Sequence, residues 1–258
     1  MNILDKIVAN TRSKLDDKKL KESLDDLLSK IDMNNLGKNI FKRSLEGKSQ
    51  SIIAEIKKAS PSAGLISKDF DPVSKAKEYE LFGASALSIL TEEDYFQGDV
   101  QYLIDVKNAS NLPILRKDFI IDEYQIFESK YLKADAILLI ASLLEEKKLK
   151  KFVSLAEELD LEYIVEIHDE SELHKVLNVN PKIIGVNNRN LNNFQVDINT
   201  TLNIIDKIPK SIIIISESGI YTSEDMQKLY DKGCNGVLIG ESIITSDDPY
   251  EKIIELKI

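Results

Sequence analysis

Two lysines and two glutamates stand at the ends of short apolar runs. Glu55 and Lys57 close "IIAEIKK", Lys117 closes "PILRK", and Glu166 lies in "YIVEI". Side chains two apart on a strand share a face, so Glu55 and Lys57 point the same way, with Ala54 and Ile56 opposite. Leu115, Lys117 and Phe119 share a face in the same manner. A further run ends in Asn187, with Arg189 two residues on, and another in Ser216, with Ser218 beyond it. Charges on the inner face of a buried strand are costly unless they are paired or in use. Ammonium and carboxylate groups converging on one pocket could transfer protons and stabilise charge that develops during a reaction. The plainer alternative is a ring of inward ion pairs with no chemical task. So many buried charges at matching strand ends favour the chemical reading.

Those ends need elements to hold them. Eight short apolar runs fall at 51–56, 86–90, 113–116, 137–141, 163–167, 183–187, 212–216 and 236–240. Between them lie segments of helical periodicity, such as "DPVSKAKEYELFGA", "LEEKKLKKFVSLAEELD" and "TSEDMQKLYDKG". Several open at Asp, Ser or Thr and close at Gly, the residues that cap helices. Eight strands alternating with helices predict an α/β fold of the (β/α)₈ TIM-barrel type. The fingerprints of a doubly wound sheet, GxGxxG and GxxxxGK[ST], are absent. One barrel domain is expected over 1–258, of which 1–50 form an N-terminal helical extension. In "MNILDKIVAN", Ile3, Leu4, Ile7 and Val8 fall on one helical face. The extension could plug the barrel bottom, cover its mouth or form an interface, and periodicity alone does not choose. Active sites of such barrels lie at the C-terminal strand ends, where the charged residues fall.

The loops after the last two runs read "SESGI" and "IGESI", each with a Gly beside an expected helix start. Backbone N–H groups there suit a phosphate. The chain carries 44 acidic and 34 basic residues, a net charge of −10, which argues against nucleic acid or an anionic membrane as partner. Cys234 is the only cysteine, so an internal disulfide and a cysteine-built zinc site are excluded. His168 and His174 lack partners at metal-ligand spacing, and both read as structural. With no long uncharged apolar span and no secretory start, the expected location is the cytoplasm.

Nine stretches in order resemble the indole-3-glycerol phosphate synthase family. They are "ILDKIVANTR", "IIAEIKKASPSAGLI", "LSILTEEDYFQGD", "PILRKDFIIDEYQIFES", "ADAILLIASLL", "VEIHDESEL", "IGVNNRNL", "ISESGI" and "VLIGESI". The resemblance implies a lyase of tryptophan biosynthesis that closes 1-(2-carboxyphenylamino)-1-deoxyribulose 5-phosphate to indole-3-glycerol phosphate, with loss of carbon dioxide and water. It implies no metal and no organic cofactor. Lys117 matches the general acid and Glu166 the general base. Glu55 and Lys57 join the inward polar network, with Lys57 on anionic groups of the substrate. Asn187 orients substrate and catalytic groups, and Arg189 neutralises the substrate carboxylate. Phe96 and Phe119 match the apolar wall of the aromatic ring, with Ser60 among the substrate contacts. Ser218, Gly219, Gly240 and Glu241 match the phosphate site, the last three through backbone N–H.

Three positions depart from the family pattern: Asn190 for Asp in "NNRDL", Asp99 where Ser is frequent, and Tyr95 for Phe. Three rival readings are a phosphoribosylanthranilate isomerase, a Schiff-base aldolase acting through Lys117, and a catalytically dead phosphate-binding barrel. The expected partner is a small phosphorylated substrate, and the expected state a monomer or weak homodimer.

Overall fold

A computed structural model describes residues 3–32, 39–47, 50–66, 69–190 and 193–257. Parts of the expected extension (33–38, 48–49) and Leu191 of the "IGVNNRNL" stretch lie outside them.

Eight parallel strands close into a barrel: β1 (Ser51–Ile56), β2 (Ala86–Leu90), β3 (Ile114–Lys117), β4 (Ala136–Ile140), β5 (Glu162–Ile167), β6 (Ile183–Asn187), β7 (Ile213–Glu217) and β8 (Gly236–Ile239). Each pairs with its neighbours in sequence, and β8 closes on β1 with Ser51 opposite Gly236. The expected runs coincide with the strands to within a residue or two. The largest consequence is at β7, which extends one residue further than expected and takes in Glu217.

The extension forms α1 (Ile3–Lys21), α2 (Leu24–Lys30) and α3 (Ile40–Leu45). The helices among the strands are α4 (Pro72–Leu81), α5 (Val100–Ala109), α6 (Glu123–Tyr131), α7 (Glu146–Glu158), α8 (Leu173–Leu177), α9 (Asn199–Ile204) and α10 (Ser223–Asp231). After β8 come α11 (Glu241–Ile244) and α12 (Pro249–Glu255). Local chemistry starts them. The Asp71 carboxylate accepts from Val73 N and Ser74 N ahead of Pro72, which has no N–H to satisfy. Asp122 with Gln125, and Thr222 with Asp225, form reciprocal capping boxes. Asp99 caps α5 by accepting from Gln101 N at 2.8 Å, and Ser belongs to the same class of N-cap residue.

Alternation divides each strand between two cores. Outward residues such as Ile52, Ala54, Ile56, Leu87 and Ile89 pack under the helices. Inward residues, among them Ile53, Ala86, Leu115, Ala136, Ile164, Ile213, Ile215 and Leu238, fill the barrel. Phe41 and Leu45 of α3 complete that inner core. The α3 N-terminus is fastened by Glu162, at the start of β5, whose carboxylate accepts from Phe41 N at 2.7 Å and Lys42 N at 3.0 Å. Helix α3 is therefore the bottom plug. Burying Phe41 there is worth roughly 2–3 kcal/mol.

Helix α1 lies at the opposite end. Lys14 pairs with Glu93 at 2.7 Å and Asp94 at 2.6 Å in the loop after β2, and Asn10 also bonds Asp94. Lys19 reaches Asp122 at 2.8 Å, beside α6. The extension thus plugs one end with α3 and covers the other with α1.

Candidate active site

At the C-terminal strand ends lies a cavity open to solvent. Ile3, Leu4 and Ile7 of α1 form part of its wall. The cavity brings together all thirteen expected residues: Glu55, Lys57, Ser60, Phe96, Lys117, Phe119, Glu166, Asn187, Arg189, Ser218, Gly219, Gly240 and Glu241.

Lys117, the last residue of β3, is at the centre. Its Nζ is 2.9 Å from Glu166 Oε2 on β5 and 2.9 Å from Glu217 Oε2 on β7. Burial alone would depress its pKa, but Glu166, Glu217 and Glu55 outweigh that and hold it well above the usual lysine value. Of the two carboxylates, Glu166 is held well below its usual value against desolvation, by Lys117 and His168. Glu217 is pushed up to about 8, by burial first and by the charge of Glu166 beside it. Sharing one ammonium thus pushes the two acids apart, Glu166 toward the carboxylate and Glu217 toward the neutral carboxyl. A lysine paired with two carboxylates is a poor amine nucleophile, which counts against the Schiff-base reading.

Beside this triad, Lys57 pairs with Glu55 at 2.5 Å. Gly240 is required there, because a Cβ would come within 2.8 Å of Glu55 Oε1 and 2.9 Å of its Cβ. Phe96 and Phe119 face each other with ring centroids 5.9 Å apart, tilted by 38°. The Glu92 carboxylate accepts from Tyr95 N at 2.8 Å and Phe96 N at 3.0 Å, fixing one ring's backbone. Asp118 does the same for Phe119 N at 2.8 Å. Ser60 lies in a two-residue hairpin, Ala59–Ser60 against Gly64–Leu65, whose Ala59 N donates to Phe96 O.

The remaining edge is polar. Asn187 Oδ1 accepts from Arg189 N at 3.0 Å, and the guanidinium reaches Glu241 Oε2 at 3.0 Å. The Glu241 carboxylate is thus occupied by Arg189 and by Tyr221, whose hydroxyl lies 3.5 Å from it. Gly219 has φ +77°, a left-handed conformation that glycine adopts freely. It precedes α10 by several residues instead of standing at the helix start as expected, whereas Gly240 does sit at the N-cap of α11.

Two residues escaped the sequence reading. The apolar run 212–216 stops one residue short of Glu217, although Ile213 and Ile215 point inward and the alternation continues to it. Ser216 faces the other way, with its Oγ 2.9 Å from Asn188 Nδ2 and 2.8 Å from Thr201 Oγ1, so it does not belong to the mouth. His168, read as structural, contacts Glu166 at 3.2 Å. Its position two residues after Glu166 was the available signal.

A closed parallel barrel with acid and base groups gathered at its C-terminal mouth defines a (β/α)₈-barrel enzyme. The crystal structure of 3-hexulose-6-phosphate synthase superposes with TM-score 0.64 over 81% of this chain and 98% of that one, at 13% identity, a likeness of fold alone. The family profile described as indole-3-glycerol phosphate synthase matches residues 4–256. The indole-3-glycerol phosphate synthase of Thermoanaerobacter pseudethanolicus is 47% identical over 97% of this chain and 95% of its own. That of Alkaliphilus metalliredigens is 44% identical over 99% and 98%. The chain belongs to the indole-3-glycerol phosphate synthase family.

Proposed function

We propose that the protein converts 1-(2-carboxyphenylamino)-1-deoxyribulose 5-phosphate to indole-3-glycerol phosphate, releasing carbon dioxide and water, as a carbon–carbon lyase of tryptophan biosynthesis. The observation that carries this reading is the Lys117–Glu166–Glu217 cluster at the mouth of a barrel of this family.

Ring closure needs the aromatic carbon that bears the carboxylate to attack the ketone of the same molecule. As that bond forms, the carbonyl electron pair moves to oxygen, and Lys117 stabilises the alkoxide and protonates it. The Glu217 carboxyl, 2.9 Å from Nζ, is placed to return a proton to the amine. Loss of carbon dioxide returns its bonding electrons to the ring. The new hydroxyl then leaves as water, with Lys57 placed to protonate it. Glu166 balances positive charge on the anilino nitrogen and removes the proton whose loss completes the indole.

Phe96 and Phe119 form the flat apolar slot for the aromatic ring. Arg189 meets the substrate carboxylate, exchanging its contact with Glu241 for one with the ligand. Ser218 and the N–H groups of Gly219, Gly240 and Glu241 take the phosphate: Gly240 and Glu241 open α11, where the first N–H groups lack intrahelical partners, and Gly219 contributes from the loop after β7. Asn187 orients the substrate hydroxyls, and Ser60 and Lys57 complete the substrate contacts.

The reading calls for no metal. Among the described residues no helix is long and apolar enough to cross a membrane, and the charge of −10 disfavours polyanionic partners. The partner of this reading is a small phosphorylated substrate, and its setting a monomer or weak homodimer in the cytoplasm.

The test is fluorescence of the indole ring when purified protein receives the substrate without added metal, beside Lys117→Met. Turnover that collapses in the variant supports both reaction and acid. Turnover that survives moves the acid to Lys57, and folded wild-type protein that binds but does not react overturns the reading in favour of a ligand-binding barrel.

A further inference from the structure

Lys117 sits between two carboxylates at equal distance, 2.9 Å from each, yet the mechanism above asks different things of them. Glu166 must be an anion that accepts a proton, and Glu217 a carboxyl that holds one. Nothing in their contact with Lys117 distinguishes them. Both are almost fully buried, with side chains 4% and 1% exposed.

Their second oxygens differ. Glu166 Oε1 is 3.2 Å from His168 Nε2. Glu217 Oε1 is buried with no hydrogen-bond partner among the described residues, packed where a Cβ on Gly185 would stand 2.2 Å away. His168 does not line the cavity, and its side chain is 10% exposed. It is backed by Glu172, whose Oε2 accepts from His168 N at 2.7 Å and lies 3.8 Å from Nδ1. Neither ring nitrogen makes a straight hydrogen bond, so the contact with Glu166 works through charge more than through direction.

The other ionisable groups around the imidazole have their own partners. Lys175 of α8 donates to the carbonyls of Ala141 and Leu144, at 2.6 and 3.1 Å. Lys117 and Glu217 lie beyond Glu166. His168 is therefore a buried imidazole between two carboxylates, one belonging to the site and one outside it.

We propose that His168 is a positioning residue for the reaction, a buried cation that holds Glu166 as the anionic member of the two carboxylates on Lys117 and leaves the proton to Glu217. The proposal rests on the catalytic reading above. Its physical basis is that two like charges sharing one ammonium do not both ionise freely, and the one with a second cation keeps its charge. The Glu166 and Glu172 carboxylates lift His168 to about 10 against the effect of burial, so the imidazole is charged at neutral pH.

The sign of the effect follows. Removing the cation makes Glu166 easier to protonate, so the acid limb of the kcat/KM profile moves to higher pH. For His168→Gln the expected move is about one pH unit, with a loss of up to roughly tenfold confined to the acid limb, little change near pH 8 and a KM close to wild type. Should that variant fail to fold, Glu172→Gln keeps the imidazole and loosens its anchor, and the limb should move the same way by less. A structural role for His168 would lower stability and leave the limb in place, and that result overturns the proposal.

A second arm does not need turnover. Infrared difference spectra read the C=O band of a protonated carboxyl near pH 7. Either carboxylate, left alone with Lys117, is free to ionise, so the band should be lost in Glu217→Gln and in Glu166→Gln alike. The deciding variant is His168→Gln, where the band should shift as Glu166 takes a share of the proton. A band unchanged in His168→Gln overturns the proposal even if the wild type turns the substrate over. A wild type without turnover sinks the catalytic reading, while the infrared arm still decides whether His168 sets the place of the proton.

Discussion

Arg116 and Lys117 are adjacent on β3, and each is a cation facing two carboxylates. They point to opposite faces of the strand. Arg116 turns outward under α6, with its side chain 3% exposed, and Nη2 lies 2.9 Å from Asp118 and 2.8 Å from Glu128. Its other nitrogens donate to Thr91 Oγ1 and Ser129 Oγ, both at 3.1 Å. Glu128 is held below its usual value despite burial, by Arg116 and by Lys18 of α1. The guanidinium thus spreads its donors around a closed network, and it does not deprotonate at any ordinary pH.

Lys117 turns inward, with its side chain 15% exposed at the edge of the cavity. Two carboxylates occupy part of its ammonium, which leaves donor capacity for a ligand. A lysine can also release and regain a proton. The same charges make a structural tie on one face and a reactive centre on the other. What separates them is whether the donors are used up and whether the group can change its charge. The two sites are still joined, because Asp118 accepts from Arg116 with one oxygen and from Phe119 N with the other.

Removing each cation should therefore have opposite consequences. Lys117→Met should lower kcat by about 10²–10⁴, with a smaller fall in melting midpoint than Arg116→Met because Glu166 keeps His168 beside it and Glu217 leans toward the neutral form, measured by the fluorescence assay and by calorimetry. Arg116→Met strands two buried carboxylates and should cost about 3–5 kcal/mol, read as a fall in Tm of roughly 6–20 °C. Its kcat per folded molecule should stay within a few fold. Equal loss of stability in both variants would abolish the distinction.

A smaller change tests the inner face without touching a charge. Gly185 of β6 lies against Glu217, so the Cβ of Gly185→Ala must push Glu217 away from Lys117. We expect about a tenfold drop in kcat and a stability cost of about 1–3 kcal/mol. An unchanged kcat in the folded variant would show that the contact of Glu217 with Lys117 does not matter for turnover.

Much of this could be read from residue order. Strand positions followed from apolar runs bounded by cap residues, and Asp71, Asp122 and Thr222 start helices as their types predict. Glu55, Lys57, Lys117 and Glu166 were recognisable because a charge at the end of a buried run is conspicuous. Glu217 was missed by a single residue of strand length, since a period of two turns a one-residue error into the wrong face. Asn188, beside Asn187, shows the same parity: it is buried outward on Ser216 and Thr201, while Asn187 lines the cavity.

By itself the sequence determined the period of its elements, where they begin and end, and which face of each strand carries charge, because these depend on neighbours along the chain. Only the tertiary structure decided that α1 covers the mouth while α3 plugs the bottom. It alone brought Glu166 and Glu217 to the same distance from Lys117 and, among the described residues, set an imidazole against Glu166 and not against Glu217. Those outcomes depend on the closure of eight strands, which places residues 49 and 100 positions from Lys117 against one ammonium. Their acidities are set by burial and by charges across that gap, which no local pattern encodes.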